Sequence, residues 1–574
     1  MITSRHILQE FNENKWKEIS THPFYKEQIH AIRSEADRLL HEPIPAVSFS
    51  DYHLYFETGN RLQYEFAYFE RRKRLNIYAF MYLLERSETY LRPLNDIIWA
   101  ILDEFTWSLP AHASETLSLK EQHTMLDLFA SETGYTLSEL YFLLHDSLPS
   151  LLTRRMKQEI QERVIDAFLS LEDGTARWEQ MTNNWAAVCA GSVGNAFLYM
   201  ATDAEWEQAK PRLLLCMEHF LSGFSDDGAC LEGYTYWQYG FGYFLQFAET
   251  LRQYTNNKED LLASVKVQNI AKFQQNCILD DTLSLPISDA NNEYFQQDLY
   301  ITHYLYRHFD GIEIPDQSMS YRFGDDHCHR WGGFIRYFLW TDPSLPQCTL
   351  NKKSCYFKDA AWYIRNTKEY AFMTKAGNND EPHNHNDIGH FSLSHKNHFL
   401  LYDLGAGEYT ASYFQEETRY DHITNSSFGH SVPIINGIGQ KAGKEYYGTI
   451  LKESEKELSL SLEHAYPISE LTSLVRTFQF GEQTIQMTDS YQFESDAQQV
   501  TECLVTKIEP VIQKDCVKIN TLSIRFDPQI LCVSVTPKHY VGHQGSSETV
   551  YLIHFDVKKT SQSFHVTLCF SLEQ

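Results

Sequence analysis

The chain has 574 residues, 76 acidic against 49 basic, for a formal net charge of −27, with 43% hydrophobic and 14% aromatic residues. That length exceeds what one core usually serves, so two domains are expected, and the apolar content excludes a disordered chain. A net field of this sign repels long polyanions, which excludes nucleic acid as an expected partner and leaves short acidic oligosaccharides as acceptable ones.

The first residues, Met1 to Lys15, contain no apolar run of the secretory kind, and no stretch of the chain has the apolar length of a membrane span. The 11 cysteines are odd in number and show no Cys-x-x-Cys spacing, which points to reduced thiols. The expectation is a soluble cytoplasmic protein with no membrane partner.

Residues 1–345 read as successive helices. Leu152, Met156, Ile160, Val164 and Phe168 recur at near-helical spacing between charged residues, and similar runs lie at Leu94 to Leu102, Leu213 to Leu221 and Tyr243 to Leu251. Asn183-Asn-Trp-Ala-Ala-Val-Cys-Ala-Gly-Ser-Val-Gly194 predicts a small-residue helix that permits close packing, with Asn183 or Asn184 as its cap. Asp226-Asp-Gly-Ala-Cys-Leu-Glu-Gly-Tyr-Thr-Tyr-Trp-Gln-Tyr239 reads, taken alone, as a helix start with aromatic core residues.

The prolines of Thr341-Asp-Pro-Ser-Leu-Pro-Gln347 break the helical pattern and mark a boundary. Over residues 346–574 the period becomes two: Leu458, Leu460 and Leu462, then Ile485 and Met487, then Phe564, Val566, Leu568, Phe570 and Leu572. This predicts antiparallel strands in a one-sided sheet or a sandwich. A helical domain followed by a β domain is the expected organisation.

Glu381-Pro-His-Asn-His-Asn-Asp-Ile-Gly-His390 is the most informative segment. On extended backbone a His-x-His pair sends both imidazoles to one side, as a metal site or an acid/base pair requires. Phe391-Ser-Leu-Ser394 and Phe399-Leu-Leu-Tyr-Asp403 flank a polar His-Lys-Asn-His and predict a hairpin that returns Asp403 toward His385. Asn425-Ser-Ser-Phe-Gly-His430, followed by Pro433-Ile-Ile-Asn-Gly437, is another turn-then-strand signal. His385, Asp403 and His430 make a two-histidine, one-carboxylate set suited to zinc or a related divalent ion. By spacing alone, ordinary hydrogen-bonding residues on separate strands are the commoner reading.

Together these pieces resemble the heparinase II/III-like polysaccharide lyases. The resemblance rests on Asn183-Asn184-Trp185 with its Gly-rich sequel, on Glu232-Gly-x-x-Tyr236-x-x-Tyr239, on His383-Asn-His385-Asn-Asp387, on Asp403-x-Gly405-x-Gly407-x-Tyr409 and on His430, across roughly residues 180 to 440. It implies an N-terminal incomplete (α/α) toroid, a C-terminal antiparallel β-sandwich and a cleft between them. It further implies β-elimination at a 4-linked hexuronic acid, most readily in glycosaminoglycan fragments. Asn184 becomes the carboxylate neutraliser, Tyr236 and His383 the proton-transfer pair, and Tyr409 a further cleft tyrosine. Trp185, Tyr239 and Glu232 become substrate-binding residues, with Tyr239, one helical turn on, an alternative to Tyr236. His385, Asp403 and His430 become ligands of one structural divalent ion, by expectation zinc. Where some relatives carry Asn-His, this chain carries Asn184-Trp185. Two rival readings remain: a hydrolase whose ion is catalytic, and a carbohydrate-binding protein that kept the fold without activity.

Overall fold

The computed structural model describes residues 7–290, 293–346, 353–495, 498–543 and 545–573. The chain clusters into a helical unit (Met1–Phe224, Tyr236–Ala271 and Gln296–Thr349) and a β unit (Ser225–Thr235, Lys272–Phe295 and Leu350–Gln574). Two stretches inside the helical half of the sequence thus group with the strands. Both are rich in turns. Gly228 and Gly233 take φ of 92° and 93°, Asp280 and Ser288 take 55°, and the second stretch holds the short antiparallel pair Ile278–Leu279 and Leu283–Ser284. Among the described residues, no helix is long and apolar enough to cross a membrane.

In the helical unit several helices begin on a side chain that accepts from their first turn, as at Asn12, Ser48, Ser87, Ser118, Asp127, Asn183 and Thr202. Leu128–Leu144 and Asn184–Met200 are buried on nearly every face and form the middle of the unit. The second is the small-residue helix, and its glycines serve approach: a Cβ at Gly194 would fall 2.4 Å from the Phe247 ring. Between these helices and Trp331–Trp340, the fully buried Glu139 accepts from Arg336 (2.7 and 2.9 Å), Trp331 Nε1 (2.7 Å) and the Tyr199 hydroxyl (2.8 Å). That bonding offsets the cost of burying the ion pair.

The row Leu152 to Phe168 is buried throughout. Strict spacing of four would drift about 40° per step around an ideal helix. The wider π-helical turn Gln161–Asp166, between Ser150–Ile160 and Ala167–Ser170, takes up that drift.

The β unit is a sandwich. One sheet orders Val511–Ile512, Cys516–Ile519, Leu522–Arg525, Ser563–Leu572, Thr484–Phe493, Leu471–Phe480, Glu457–Ser461, Gly443–Glu453 and Gly377–Asn379, all antiparallel. Against it packs the sheet Cys355–Phe357, Trp362–Asn366, Ala371–Lys375, Phe391–His395 and His398–Leu401, through Phe372 and Phe391 on Phe478 and Phe391 on Phe570. A further sheet of Leu531–Val541, Ser547–Val557, Val500–Thr506 and Ile434–Ile435 adjoins, with Tyr402 N–H donating to the Val505 carbonyl. The expected hairpin is present: Lys396 and Asn397 make its turn with φ of 52° and 61°. Its return strand ends two residues before Asp403.

Candidate active site

The segment from Glu381 to His390 is irregular backbone, not the extended strand its pattern suggests. His383 has φ of 57°, a left-handed conformation that costs energy for a residue with a Cβ and is most often kept where function needs it. Its conformation is held from several sides. Arg419 donates from Nε and Nη2 to the Asn384 carbonyl (3.2 and 3.1 Å), and Ser427 Oγ donates to the Asn386 carbonyl (2.7 Å). Arg476, pinned by Asp489, donates to the carbonyls of Gly389 (2.8 Å) and Ser431 (2.7 Å), so one buried guanidinium fixes the ends of both histidine loops.

The two imidazoles do converge, on a residue the motif does not contain. Asp289 is fully buried; its Oδ2 lies 2.6 Å from His383 Nδ1 and its Oδ1 2.9 Å from His385 Nε2. Tyr409 donates to Oδ2 at 3.0 Å, Tyr413 donates to Oδ1, and Arg419 stands 3.6 Å away. Burial pushes the Asp289 carboxyl up, but the bonds from His383 and His385 outweigh it and hold it well below the usual range. On its other nitrogen, His383 Nε2 lies 3.7 Å from the buried Glu232 carboxylate. The His383 and Tyr409 rings run nearly parallel at 6.5 Å.

Behind His383, ligand atoms of His385, Asp387, Asp403 and His430 lie within 4.8 Å of one another, all on buried residues. They are carried by loops at strand ends, not by the separate strands that the pattern suggests. His385 Nδ1 and His430 Nε2 are buried without a hydrogen-bond partner. Their opposite nitrogens face oxygen, Nε2 of His385 the Asp289 carboxylate and Nδ1 of His430 the Ser426 carbonyl at 2.9 Å. That is the outer-shell pattern of metal-ligating histidines. Burial pushes the His430 pKa down, which favours the neutral imidazole a metal needs, and pushes the Asp403 carboxyl up. Asp387 differs, because Lys375 Nζ already sits 2.8 Å from its Oδ1. The residues fit a divalent ion held by His385, Asp403 and His430.

The helical unit holds the other candidates. Asn183 caps Asn184–Met200, accepting from Trp185 N–H at 3.1 Å; Asn184 is buried, and a Cβ on Gly240 would stand 3.1 Å from it. Trp185 meets His112 edge-on at 4.8 Å. Tyr236 is half-buried in the opening turn Tyr234–Tyr236, and a π-helical turn, Trp237–Phe241, follows at once. That wider turn rotates Tyr239 away from the i,i+3 position a regular helix would give it. The Tyr239 hydroxyl donates to Glu132 at 2.6 Å, and Arg330 covers its ring at 4.2 Å.

The β unit therefore gathers Glu232, His383, His385, Asp403, Tyr409 and His430, while Asn184, Trp185, Tyr236 and Tyr239 sit in the helical unit. Sequence reasoning missed Asp289, Tyr413, Arg419, Lys375 and Arg476. Asp289 lies 94 residues before His383 in Leu-Pro-Ile-Ser-Asp289, where only an isolated acid after a proline turn marks it.

No family model and no curated protein matches this sequence. Solved structures do match over its whole length. Heparinase III aligns at 13% identity with a TM-score of 0.62, covering 100% of this chain and 94% of that one. Heparan sulfate lyase HepC from Pedobacter heparinus aligns at 15% identity and 0.57, covering 99% and 92%. Chondroitin AC lyase from Streptomyces coelicolor A3, solved with chondroitin sulphate, aligns at 10% identity and 0.55, covering 98% and 82%. The fold is thus the expected one, an incomplete (α/α) toroid followed by an antiparallel β-sandwich.

Proposed function

We propose that this protein is a polysaccharide lyase that cleaves 4-linked hexuronic acid glycans by β-elimination, with glycosaminoglycan fragments as the first substrate class. The observation that carries the reading is His383, held in left-handed backbone with Nδ1 on a buried carboxylate, in a fold shared with solved lyases. In this reading Asn184 bonds the uronate carboxylate and eases charge development at C5. His383 and Tyr236 exchange the protons: one removes the C5 proton, the electron pair forms the C4=C5 bond, the C4–O bond breaks, and the other protonates the leaving oxygen. Tyr409, Glu232, Trp185 and Tyr239 shape the surroundings. A divalent ion on His385, Asp403 and His430 would cross-link the loops that present His383. Burial of that whole cluster speaks against a hydrolase with an open metal position.

The purified protein, offered hyaluronan, chondroitin, heparin-type and alginate oligomers, should release products absorbing in the near ultraviolet, the signature of a 4,5-unsaturated uronate. Cleavage without that chromophore would move the assignment to a hydrolase. No cleavage of any oligomer, with metal bound, would leave a carbohydrate-binding protein.

A further inference from the structure

We infer that Asp289 is the positioning residue of this site, setting the tautomers of His383 and His385 in opposite senses and committing the Tyr409 proton. The inference deepens the lyase reading and rests on it for its kinetic consequence only. An ionised carboxylate accepts hydrogen bonds and donates none, and its two oxygens offer about four lone-pair positions. All four are taken: Oδ2 by His383 Nδ1 (2.6 Å) and Tyr409 (3.0 Å), Oδ1 by His385 Nε2 (2.9 Å) and Tyr413. Every partner must therefore be a donor.

For His383 this places the proton on Nδ1, with Nε2 the atom on the Glu232 side, 3.7 Å from that carboxylate. For His385 it places the proton on Nε2 and leaves the buried, unpartnered Nδ1 for the metal cluster. The motif thus carries two histidines of opposite tautomer two residues apart, and one carboxylate dictates both. For Tyr409 the same logic spends the hydroxyl proton on Asp289, so Tyr409 supports the site and is not the group that protonates a leaving oxygen.

The chain builds Asp289 in rigidly. The preceding Ser288 takes φ of 55° and donates from Oγ to the Leu231 carbonyl at 3.3 Å. On the other side, Ala406 N–H donates to the Ala290 carbonyl at 3.3 Å, and Gly405 is required there because a Cβ would come 2.1 Å from that oxygen. The carboxylate is therefore aimed by backbone on both flanks.

The test uses the full-length protein labelled with 15N-histidine, with His383→Gln and His385→Gln spectra for assignment, at about pH 8, above the ordinary imidazole range. Long-range proton–nitrogen correlations should show His383 protonated on Nδ1 and His385 on Nε2. In Asp289→Asn the amide donates where the carboxylate accepted, so His383 should shift toward the Nε2–H form. Turnover should fall about 100-fold while KM moves by less than about threefold, the split expected when a proton carrier is misplaced. Finding His383 as Nε2–H in the wild-type protein overturns the proposal, and that reading stands even if Asp289→Asn fails to fold. A folded Asp289→Asn with normal turnover and an unchanged His383 signal overturns it too. If the wild-type protein cleaves no uronate glycan, the lyase reading falls, and the two tautomers still decide the role of Asp289.

Discussion

Asp289 and Glu132 are both buried carboxylates, and each holds an aromatic proton carrier, His383 in one case and Tyr239 in the other. Their protonation runs opposite ways. Burial lifts Glu132 to about 7, with Arg330 and the Tyr239 bond only partly opposing it. Asp289 is buried as deeply, yet hydrogen bonds and charge from His383 and His385 outweigh that burial and hold it well below the usual carboxylate range. Burial alone does not set charge; the number and kind of donors do. An under-bonded acid ties up its tyrosine.

The largest effect should come from the metal that the buried cluster of His385, Asp403 and His430 on the Asp289 side fits. We expect about one divalent ion per chain by elemental analysis, at 2.0–2.2 Å from His385, Asp403 and His430 if it is zinc. A chelator should lower the melting temperature, the loss reaching about 4 kcal/mol if the ion is present at about a thousand times its dissociation constant. Hydrogen exchange should rise in the strands Phe391–His395 and His398–Leu401 and stay flat in the helix Leu128–Leu144. Chelation that leaves both exchange and melting unchanged would remove the ion from the account.

Next come the two proton carriers. His383→Ala and Tyr236→Phe should each cut turnover by about 100-fold or more. Tyr239→Phe should cost less than about tenfold in turnover and instead about 1–3 kcal/mol of stability, since it strips a donor from buried Glu132. An active Tyr236→Phe beside a dead Tyr239→Phe would reverse the comparison and make Glu132 the partner of the catalytic tyrosine. Asn184→Ala should lower turnover without moving the pH optimum, because an amide bonds the substrate and does not titrate.

The sequence reached some of this and stopped at definable places. Period-two runs such as Thr484–Phe493 follow from local rules, and so does the Lys396-Asn397 turn, whose hairpin of Phe391–His395 and His398–Leu401 returns Asp403 toward His385. Asn183 as a cap is equally local. The backbone of His383 was not legible, because its left-handed conformation is imposed by Arg419 and Ser427 from distant segments. Asp289 was invisible for the same reason: its partners are 94 to 124 residues away, and no periodicity links them. The π-helical turn after Tyr236 likewise depends on packing, and it changes the angle at which Tyr239 follows Tyr236.

The smallest effect tests the Glu132 half directly, through pH. The folded-state pKa of about 7 lies above the ordinary 4.5 of a glutamate carboxyl. Between those values the folded protein keeps a proton that the unfolded chain has released, so this group's contribution is full below about pH 4.5 and is lost as pH rises through about 7. Glu132→Gln cannot lose a proton, and its amide can still accept from Tyr239. Relative to wild type, the variant should therefore gain stability, by about 2 kcal/mol, between about pH 5 and about pH 8. Comparing the two proteins cancels Asp298, which burial also lifts to about 7, and every other titrating group they share. The measurement is the difference in melting temperature between variant and wild type at each pH. A difference that stays constant across the window would mean that Arg330 keeps Glu132 ionised throughout, and the two carboxylates would then differ in partners but not in charge.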